Sequence, residues 1–303
     1  MTCISKEKKA GVTMSYKLQK RILLFTFLFA PIVLLSLFLV WPTIRMVIYS
    51  FTDWDGVLPS YNFIGIKNFV NVIKDEALWG SLKNNIAYII AGLLQNILAL
   101  FFAVTLNRKM RAKEFYKTIT FMPYIINITA IAYMFNFLYD YNEGPINLLL
   151  KHFHLIPVKF FSDAHIAIFS LASMSFWRWL GYSMIIYIAA LQSVPQEIYE
   201  SSAIDGANSW NTFRYITFPS IINIVQLQLF LSLSGALQAF TETLVLTKGG
   251  PGKATYTFVY YILDNYINFN AYGYAAAMSV LLIMIILLIT GFQRLVLGGG
   301  KKV

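Results

Sequence analysis

The chain has 303 residues, of which 58% are hydrophobic and only 13% are charged, and its formal net charge is +10. A soluble domain of ordinary composition carries about twice that share of charge, so a water-soluble globular protein is excluded. The excess of lysine and arginine is better explained by membrane topology than by nucleic-acid binding, because these residues are unequally distributed between the two sides of the apolar stretches.

Six apolar stretches of 18 or more residues are nearly free of charge, which is about the length that crosses a bilayer as a helix. Backbone polar groups in lipid must pair within the protein, and the sequence has no alternating ten-residue strands, so helices are predicted rather than a β-barrel. The fold class is therefore an all-α polytopic membrane protein with six transmembrane helices. The predicted spans are Ile22–Ile44, Asn84–Asn107, Thr118–Tyr139, Ala164–Gln196, Tyr215–Thr241 and Asn265–Gln293.

The distribution of basic residues predicts that both termini are cytoplasmic, with fifteen basic residues inside and seven outside. Residues 1–21 are predicted to form a basic cytoplasmic tail, and residues 22–303 a single six-helix membrane domain. The first apolar stretch is too long for a cleaved signal peptide and is interpreted as a retained span. The single cysteine, Cys3, would face the cytoplasm, so no disulfide framework is expected.

Three external loops are predicted, over residues 51–80, 140–163 and 247–264. In the first loop, apolar residues at positions 66, 69, 70 and 73 recur at helical spacing and predict a short amphipathic helix on the outer surface. The other two loops contain Gly-Pro turn signals. These loops are long enough to meet an external partner but too short to form domains.

No catalytic or cofactor-binding pattern is visible. The sequence has no G-x-x-x-x-G-K-[ST] phosphate loop, so the chain is not expected to bind or hydrolyse ATP by itself. His152, His154 and His165 lie in or beside the second external loop, but they lack the cysteines or clustered acids typical of a metal site. We therefore expect no metal, no cofactor and no enzymatic activity.

A polar segment separates the fourth and fifth predicted spans. Residues 196–207 are predicted to form a helix, with Glu197 and Glu200 near its positive N-terminal end. Gly206 would let the chain turn out of this helix, and Pro219 is suited to the start of the next span. From the residues alone, this helix is either a simple interfacial connection between spans or a docking element for a cytoplasmic partner.

The segment resembles a motif of a known family. The permease subunits of binding-protein-dependent ABC importers carry the pattern E-A-A-x3-G-x9-I-x-L-P, and Glu200, Gly206, Ile216 and Pro219 match it with the same spacing. The chain departs from the pattern at Ser201, Ser202 and Phe218, where alanine, alanine and leucine are usual. These changes are small for small and apolar for apolar, so the resemblance holds.

Further stretches resemble the carbohydrate-importing branch of this family, specifically its MalF-like first permease. They are Ile204 to Ala207, the Thr-x-Gly-Gly-Pro sequence from Thr247, and Tyr272 to Ser279. The large external domain of some relatives is not present. The resemblance implies a MetI-like type I permease fold in the cytoplasmic membrane. It also implies a second permease subunit, an ATPase dimer that uses ATP and Mg, an extracytoplasmic solute-binding protein and a sugar or oligosaccharide cargo.

The resemblance also implies that residues 196–209 are the coupling helix, which transmits closure of the ATPase dimer to the spans. We call residues 192–219 the coupling loop. The residues expected to couple to the ATPase are Glu197, Glu200, Ser201, Ser202, Ala203, Asp205, Gly206, Ile216 and Pro219. A basic rim on the ATPase would complement the three acids of the helix.

Sugar recognition at membrane depth calls for aromatic faces and hydroxyl or amide groups, and polar groups inside spans are functional candidates because they are costly there. The candidates are Trp177, Trp179, Tyr182, Ser183, Ser232, Gln238, Tyr133 and Asn136. Packing against lipid or other helices is the alternative role for the aromatic residues. Arg178 is expected to pair with an acid or a carbonyl, and Glu242 is its only acidic candidate within the spans.

Three rival functions remain open on the sequence. An ABC importer permease for a non-sugar solute would share the same coupling motif. A secondary transporter usually has internal repeats and acids for coupling ions inside its spans, and neither is visible here. A membrane enzyme would need clustered acids or histidines near one interface, which the sequence also lacks.

Overall fold

The computed structural model describes residues 15–107 and 110–298. Within these ranges the secondary structure is helical, apart from one isolated bridge between Thr52 and Phe63. This confirms the predicted all-α class. Most of the basic tail, with Cys3, and the basic residues Arg108, Lys109, Lys301 and Lys302 lie outside the described residues.

The first helical stretch is long and largely uncovered by the rest of the chain. It comprises α1 (Tyr16–Leu35), a π-helical segment (Ser36–Val40) and α2 (Trp41–Tyr49). None of its most apolar stretch is buried inside the described part of the molecule. Within this stretch, α2 is the part that packs closely against the last helix, α13 (Tyr272–Gly298). Lipid or another subunit must therefore cover this stretch, because an apolar helix face is not stable in water.

The predicted external helix is present as α3 (Lys67–Lys74). Asn68 on this helix is buried, and its amide donates to the carbonyls of Ser50 and Thr52 at 3.0 and 2.8 Å. The next helix, α4 (Glu76–Leu106), is 31 residues long and begins directly after Asp75. The Asp75 carboxylate accepts hydrogen bonds from the first free backbone N–H groups of α4, as expected of an N-cap residue.

The prediction that the third span is one continuous helix is wrong. It is divided into α5 (Lys113–Ile125) and α6 (Ile128–Leu138), which meet at an angle of 102°. The backbone becomes extended at Ile126 and Asn127, and the Asn127 side chain caps α6 by accepting from the Thr129 N–H at 2.8 Å. Pro123 also removes one helical N–H just before the break. The short α7 (Pro145–His152) follows in the second external loop.

The fourth predicted span is α8 (Ala167–Gln192), which lies at the centre of the bundle against α4. By length and composition, four of the described helices can cross a membrane, or five if α5 and α6 form one bent span. α8 is not among them, because Arg178 and several serines lower its hydropathy. Its 26 residues give a length of about 39 Å, which exceeds the roughly 30 Å of a bilayer core. We therefore interpret α8 as the sixth span, shielded by its neighbours.

The remaining elements follow the coupling loop. They are α9 (Gln196–Ile204), α10 (Ser209–Thr212), a π-helical segment (Phe213–Thr217), α11 (Phe218–Leu237), a second such segment (Thr243–Thr247), α12 (Phe258–Asn268) and α13. The fifth span runs from Ser209 to Leu237, so it ends four residues before the predicted boundary. The predicted start of the sixth span at Asn265 is wrong. Residues 265–268 belong to α12, and the chain turns at Asn270 with a positive φ before α13 begins.

A buried asparagine ties three helices together near the outer end of α4. The Asn85 amide donates to the Ala236 carbonyl at 2.7 Å and the Leu237 carbonyl at 3.3 Å. Its side-chain oxygen accepts from the Phe258 N–H at 2.9 Å. Asn85 is fully buried, so its amide satisfies the backbone groups at the end of α11 and the start of α12 in a place that water does not reach.

We expect the substitution Asn85→Ala to destabilise the protein by about 2 kcal/mol or more, because it leaves buried backbone donors and acceptors without partners. The measurement is thermal unfolding of the detergent-purified protein. Asn142→Ala is the control, because this asparagine is exposed and its side chain makes no hydrogen bond among the described residues. Equal unfolding temperatures for the two variants would contradict the structural role of Asn85.

Asp75 is the second polar anchor of this region. Besides capping α4, its carboxylate accepts from the Tyr261 hydroxyl at 2.8 Å and the Tyr274 hydroxyl at 2.6 Å, which joins α12 and α13 to α4. Burial raises the pKa of Asp75, but the two tyrosine hydroxyls and two backbone N–H groups outweigh it. The pKa of this carboxyl therefore lies below its ordinary value.

A lowered pKa in the folded state makes stability depend on pH. The contribution of Asp75 is fully present above its unfolded-state pKa of 3.8 and is lost as the pH falls through the lower folded-state pKa. We expect the unfolding temperature of the wild type to drop more steeply below about pH 4 than that of Asp75→Asn. The neighbouring exposed variant Glu76→Gln should follow the wild type. Identical pH profiles for Asp75→Asn and the wild type would refute this role.

Candidate functional site

A cavity of about 360 Å³ lies in the middle of the bundle, between α4, α5, α8, α11 and the segment that follows α11. We call it the central cavity. One wall is aromatic: the rings of Tyr124, Trp179 and Tyr182 lie 4.7 to 5.6 Å from one another. Such a wall offers flat apolar faces, and the hydroxyl and amide groups of the other walls offer hydrogen bonds.

Five of the eight residues predicted to bind the substrate line the central cavity. They are Trp179, Tyr182, Ser183, Ser232 and Gln238. On α8 the lining positions recur every three or four residues, which is the spacing of one helix face. Ser175, Arg178 and Ser183 therefore lie on the side of α8 that faces the cavity.

The other three predicted residues lie elsewhere. Trp177 is on another side of α8 and packs against Phe135 of α6, with the ring centroids 5.6 Å apart. Tyr133 is 67% exposed, and Asn136 is also exposed, on the outer face of α6. The bend between α5 and α6 explains this placement, because only Ile128 at the start of α6 lines the cavity and the rest of α6 leads away from it. The structure thus does not bring these three side chains to the site.

Two glutamines and a tyrosine of the cavity were missed by the sequence reasoning. Gln95 of α4 and Gln228 of α11 are almost fully buried, and Tyr124 belongs to α5. The Gln95 amide donates to the Trp179 carbonyl at 3.2 Å, which fixes α8 against α4 beside the aromatic wall. Both glutamines lie inside predicted apolar spans, so the cost of an amide in lipid was a signal that could have identified them.

Arg178 was expected to pair with an acid or a carbonyl, and it forms no ion pair with its acidic candidate, Glu242. Both residues line the central cavity, but the only ion pair within 4.0 Å among the described residues joins Lys117 and Glu114. The Arg178 guanidinium instead lies 5.5 Å from the centroid of the Trp179 ring. Glu242 is 5% exposed, in the segment between α11 and the π-helical segment that follows it. The cavity wall therefore carries one arginine and one glutamate side chain that are not in direct contact.

The coupling loop contains a helix that ends in a defined C-cap. α9 spans Gln196–Ile204, three residues shorter than predicted. The Gly206 N–H donates to the Ala203 carbonyl and the Ala207 N–H to the Ser202 carbonyl, which is the hydrogen-bond pattern of a Schellman motif. Gly206 has a φ of +77°, the left-handed conformation that this motif requires and glycine adopts without strain. The predicted turn at Gly206 is confirmed.

Most of the predicted coupling residues are on the surface. Glu197, Glu200, Ser201, Ala203, Asp205 and Gly206 are exposed, as is Pro219 in the first turn of α11. Ile216 is half-buried. Ser202 is 6% exposed, and its hydroxyl donates to the Tyr199 carbonyl at 2.8 Å, so it belongs to the inner face of α9.

The outer surface of the coupling loop is apolar as well as acidic. Ile204 is 87% exposed and Trp210 is 63% exposed, beside the exposed Tyr215. The inner surface faces a groove of about 270 Å³ against the ends of α4 and α8. Exposed isoleucine, tryptophan and tyrosine side chains grouped in one loop are typical of an interaction surface.

The three histidines do not form a metal site. Within the part of the chain that the structure describes, no group of three His, Cys, Asp or Glu side chains is arranged to hold a metal ion. The main-chain N–H of His165 donates to Asp163, and His154 has a positive φ after α7.

A multi-pass helical bundle, a polar cavity at its centre and an exposed loop for a partner define a membrane subunit of a transport system. The chain belongs to the family of inner membrane components of binding-protein-dependent transport systems, whose model matches residues 95–297. This confirms the predicted class of non-catalytic permease subunit. It also makes the secondary-transporter and membrane-enzyme interpretations wrong.

Two relatives and one solved structure illustrate the similarity. A probable ABC transporter permease of Pyrococcus horikoshii is 31% identical over 87% of this chain and 91% of its own. The AmyD protein of Thermoanaerobacterium thermosulfurigenes, a probable permease for starch degradation products, is 31% identical over 88% of this chain and 91% of its own. A chain of a bacterial ABC transporter that imports the acidic polysaccharide alginate has the same fold. The TM-score is 0.82 and the identity 23%, over 94% of this chain and 98% of that chain.

Proposed function

We propose that this chain is one of two permease subunits of an ATP-driven importer for a neutral or charged sugar or oligosaccharide. The observation that carries the sugar cargo is the central cavity. Its aromatic wall of Tyr124, Trp179 and Tyr182 suits the apolar face of a sugar ring, while the serines and glutamines opposite suit its hydroxyls. The similarity to a probable permease for starch degradation products supports the same class of cargo.

The coupling loop is the proposed docking site for the ATPase. Its acids and exposed apolar side chains would enter a cleft on an ATP-binding cassette subunit. That subunit would bind ATP and Mg, since the sequence of this chain has no phosphate loop. α8 connects this loop with the cavity. Ser183 lines the cavity and Gln192 ends the helix nine residues later, a distance of about 14 Å along the axis. Movement of the loop would therefore reach the cavity wall through one rigid helix.

The proposed orientation places both termini and the coupling loop in the cytoplasm. The support is the excess of basic residues on that side of the predicted spans. The segments around α3, α7 and the loop before α12 then lie outside, where a solute-binding protein would deliver the cargo. A second permease would cover α1, because its apolar surface is left uncovered by this chain.

Two measurements test this function. The tagged chain should co-purify with an ATPase subunit and a second permease, and the complex with its binding protein, in proteoliposomes, should take up saccharides in an ATP-dependent manner. A panel of neutral oligosaccharides, acidic oligosaccharides, polyamines and phosphate separates sugar cargo from the non-sugar alternative. ATP-dependent uptake of a polyamine or phosphate, without uptake of any saccharide, would overturn the sugar assignment while leaving the importer class intact.

A further inference from the structure

Two polar side chains of the central cavity are not fully hydrogen-bonded by the protein itself. Among the described residues, only three buried side-chain polar atoms have no partner of normal geometry, and two of them, the Tyr88 hydroxyl and the Arg178 Nε, belong to residues of this cavity. Tyr88 is 3% exposed, and its hydroxyl lies near the side chains of Thr243 and Glu242. Buried polar groups are nearly always hydrogen-bonded, so these two exceptions show that the polar groups of this wall are not satisfied by one another.

The charged residues of the cavity also favour a polar ligand. Arg178 on α8 and Glu242 after α11 are the only arginine, lysine, aspartate or glutamate residues that line it, and they are not in ion-pair contact. No side chain among the described residues donates a hydrogen bond of normal geometry to the Glu242 carboxylate. Glu242 is buried and Arg178 is half-buried, and charged groups in such places are costly unless they are paired or hydrogen-bonded.

We propose that Arg178 and Glu242 together select a neutral saccharide, whose hydroxyl groups bridge the guanidinium and the carboxylate while its ring lies on the Trp179 wall. This inference rests on the proposed sugar cargo and adds the charge of that cargo. A hydroxyl group both donates and accepts, so one face of a neutral sugar can accept from Arg178 and donate to Glu242 at the same time.

A charged cargo fits this arrangement less well. A carboxylate or sulfate would gain from Arg178 but would place a like charge near Glu242, and an amine would meet the reverse problem. With Arg178 and Glu242 both ionised, the lining residues carry no net charge, so neither sign of ligand is favoured overall. This chain is therefore expected to differ in cargo from the importer of acidic alginate whose fold it shares.

The test uses the detergent-solubilised complex of both permeases and the ATPase dimer, without the binding protein. Binding is followed by saturation-transfer difference NMR, which detects weak ligands. The neutral probes are maltotriose, raffinose and arabinotriose, and the acidic probe is an alginate trisaccharide. The variants are Arg178→Gln, Glu242→Gln and the double variant. Arg45→Gln and Glu76→Gln are matched controls, because they remove the same charges from residues that do not line the cavity.

We expect the wild type and both controls to bind at least one neutral probe and to bind the acidic probe more weakly. Each single variant should bind that neutral probe about tenfold more weakly, the effect of losing one hydrogen bond to a charged group. Glu242→Gln should also gain affinity for the alginate trisaccharide, since it leaves Arg178 as the only charge.

Two results would overturn the bridging role. One is recovery of wild-type binding in the double variant, because this would mean that the two residues only balance each other's charge. The other is stronger binding of the acidic than of the neutral probes by the wild type. A wild-type complex that binds none of the four saccharides would instead overturn the sugar cargo itself, and the bridging role with it.

Discussion

Replacing Gly206 by valine is expected to abolish cargo uptake, while the chain still inserts into the membrane and still assembles with the second permease. Gly206 holds a φ of +77° at the end of α9, where two hydrogen bonds close the C-cap. A β-branched residue in this left-handed conformation costs about 1–3 kcal/mol, so the chain would leave it and change the end of the coupling helix. The measurement is ATP-dependent uptake by proteoliposomes that contain the complete importer.

The effect should be specific to the shape of the coupling loop. A β-carbon at position 206 would meet no atom of the described residues within 4 Å, so valine causes no clash with them. Gly206→Asn is the informative partner, because asparagine tolerates the left-handed conformation and should keep most of the uptake. Gly65→Val is the matched control, since Gly65 also has a positive φ and free space but lies before the external helix α3. Wild-type uptake by Gly206→Val would refute the coupling role of this residue.

The coupling loop could be predicted from sequence because its features are local. The acids at the start of α9, the glycine at its end and the proline at the start of α11 each act within one or two helical turns. The same holds for α3 and for the apolar spans, whose existence depends only on composition. Gly206 shows this well, because the C-cap it forms involves only Ser202, Ala203 and Ala207.

The broken third span could not be predicted in the same way. The 22 residues from Thr118 to Tyr139 carry no charge and are mostly apolar, and composition alone makes them one helix. The break depends on Asn127, whose side chain offers the backbone an alternative partner at the start of α6. An asparagine inside an apolar run is equally compatible with a continuous helix that points it into a cavity.

The side of α8 that meets the cavity also depends on tertiary structure. Trp177 and Trp179 are two positions apart, so they lie on different sides of the helix, and only contacts with other elements decide which of them meets the cargo. α6 covers Trp177, and α5 supplies Tyr124 beside Trp179. Without these long-range contacts, the sequence predicted both tryptophans with equal weight. The same reason explains why Gln95, Gln228 and the separation of Arg178 from Glu242 were not foreseen.

Replacing Trp179 by alanine is therefore expected to reduce uptake by about tenfold or more, whereas the purified complex keeps the unfolding temperature of the wild type. Trp179 is 39% exposed and faces the central cavity, so its removal takes away a stacking surface and leaves little cavity in a packed core. Loss of an apolar contact of this size corresponds to about 1.5–3 kcal/mol, and 1.4 kcal/mol is a factor of ten. The measurements are initial uptake rates at several cargo concentrations and thermal unfolding of the complex.

The neighbouring tryptophan should separate packing from cargo contact. Trp177→Ala removes a half-buried ring from the contact with Phe135 and should lower the unfolding temperature, with a smaller effect on uptake by the folded fraction. Trp179→Phe should retain more uptake than Trp179→Ala, because a flat ring remains. Trp41→Ala is the matched control on the exposed surface of α2. If Trp179→Ala loses stability and Trp177→Ala loses only transport, the two sides of α8 have been assigned the wrong roles, and the cargo must pass nearer to α6.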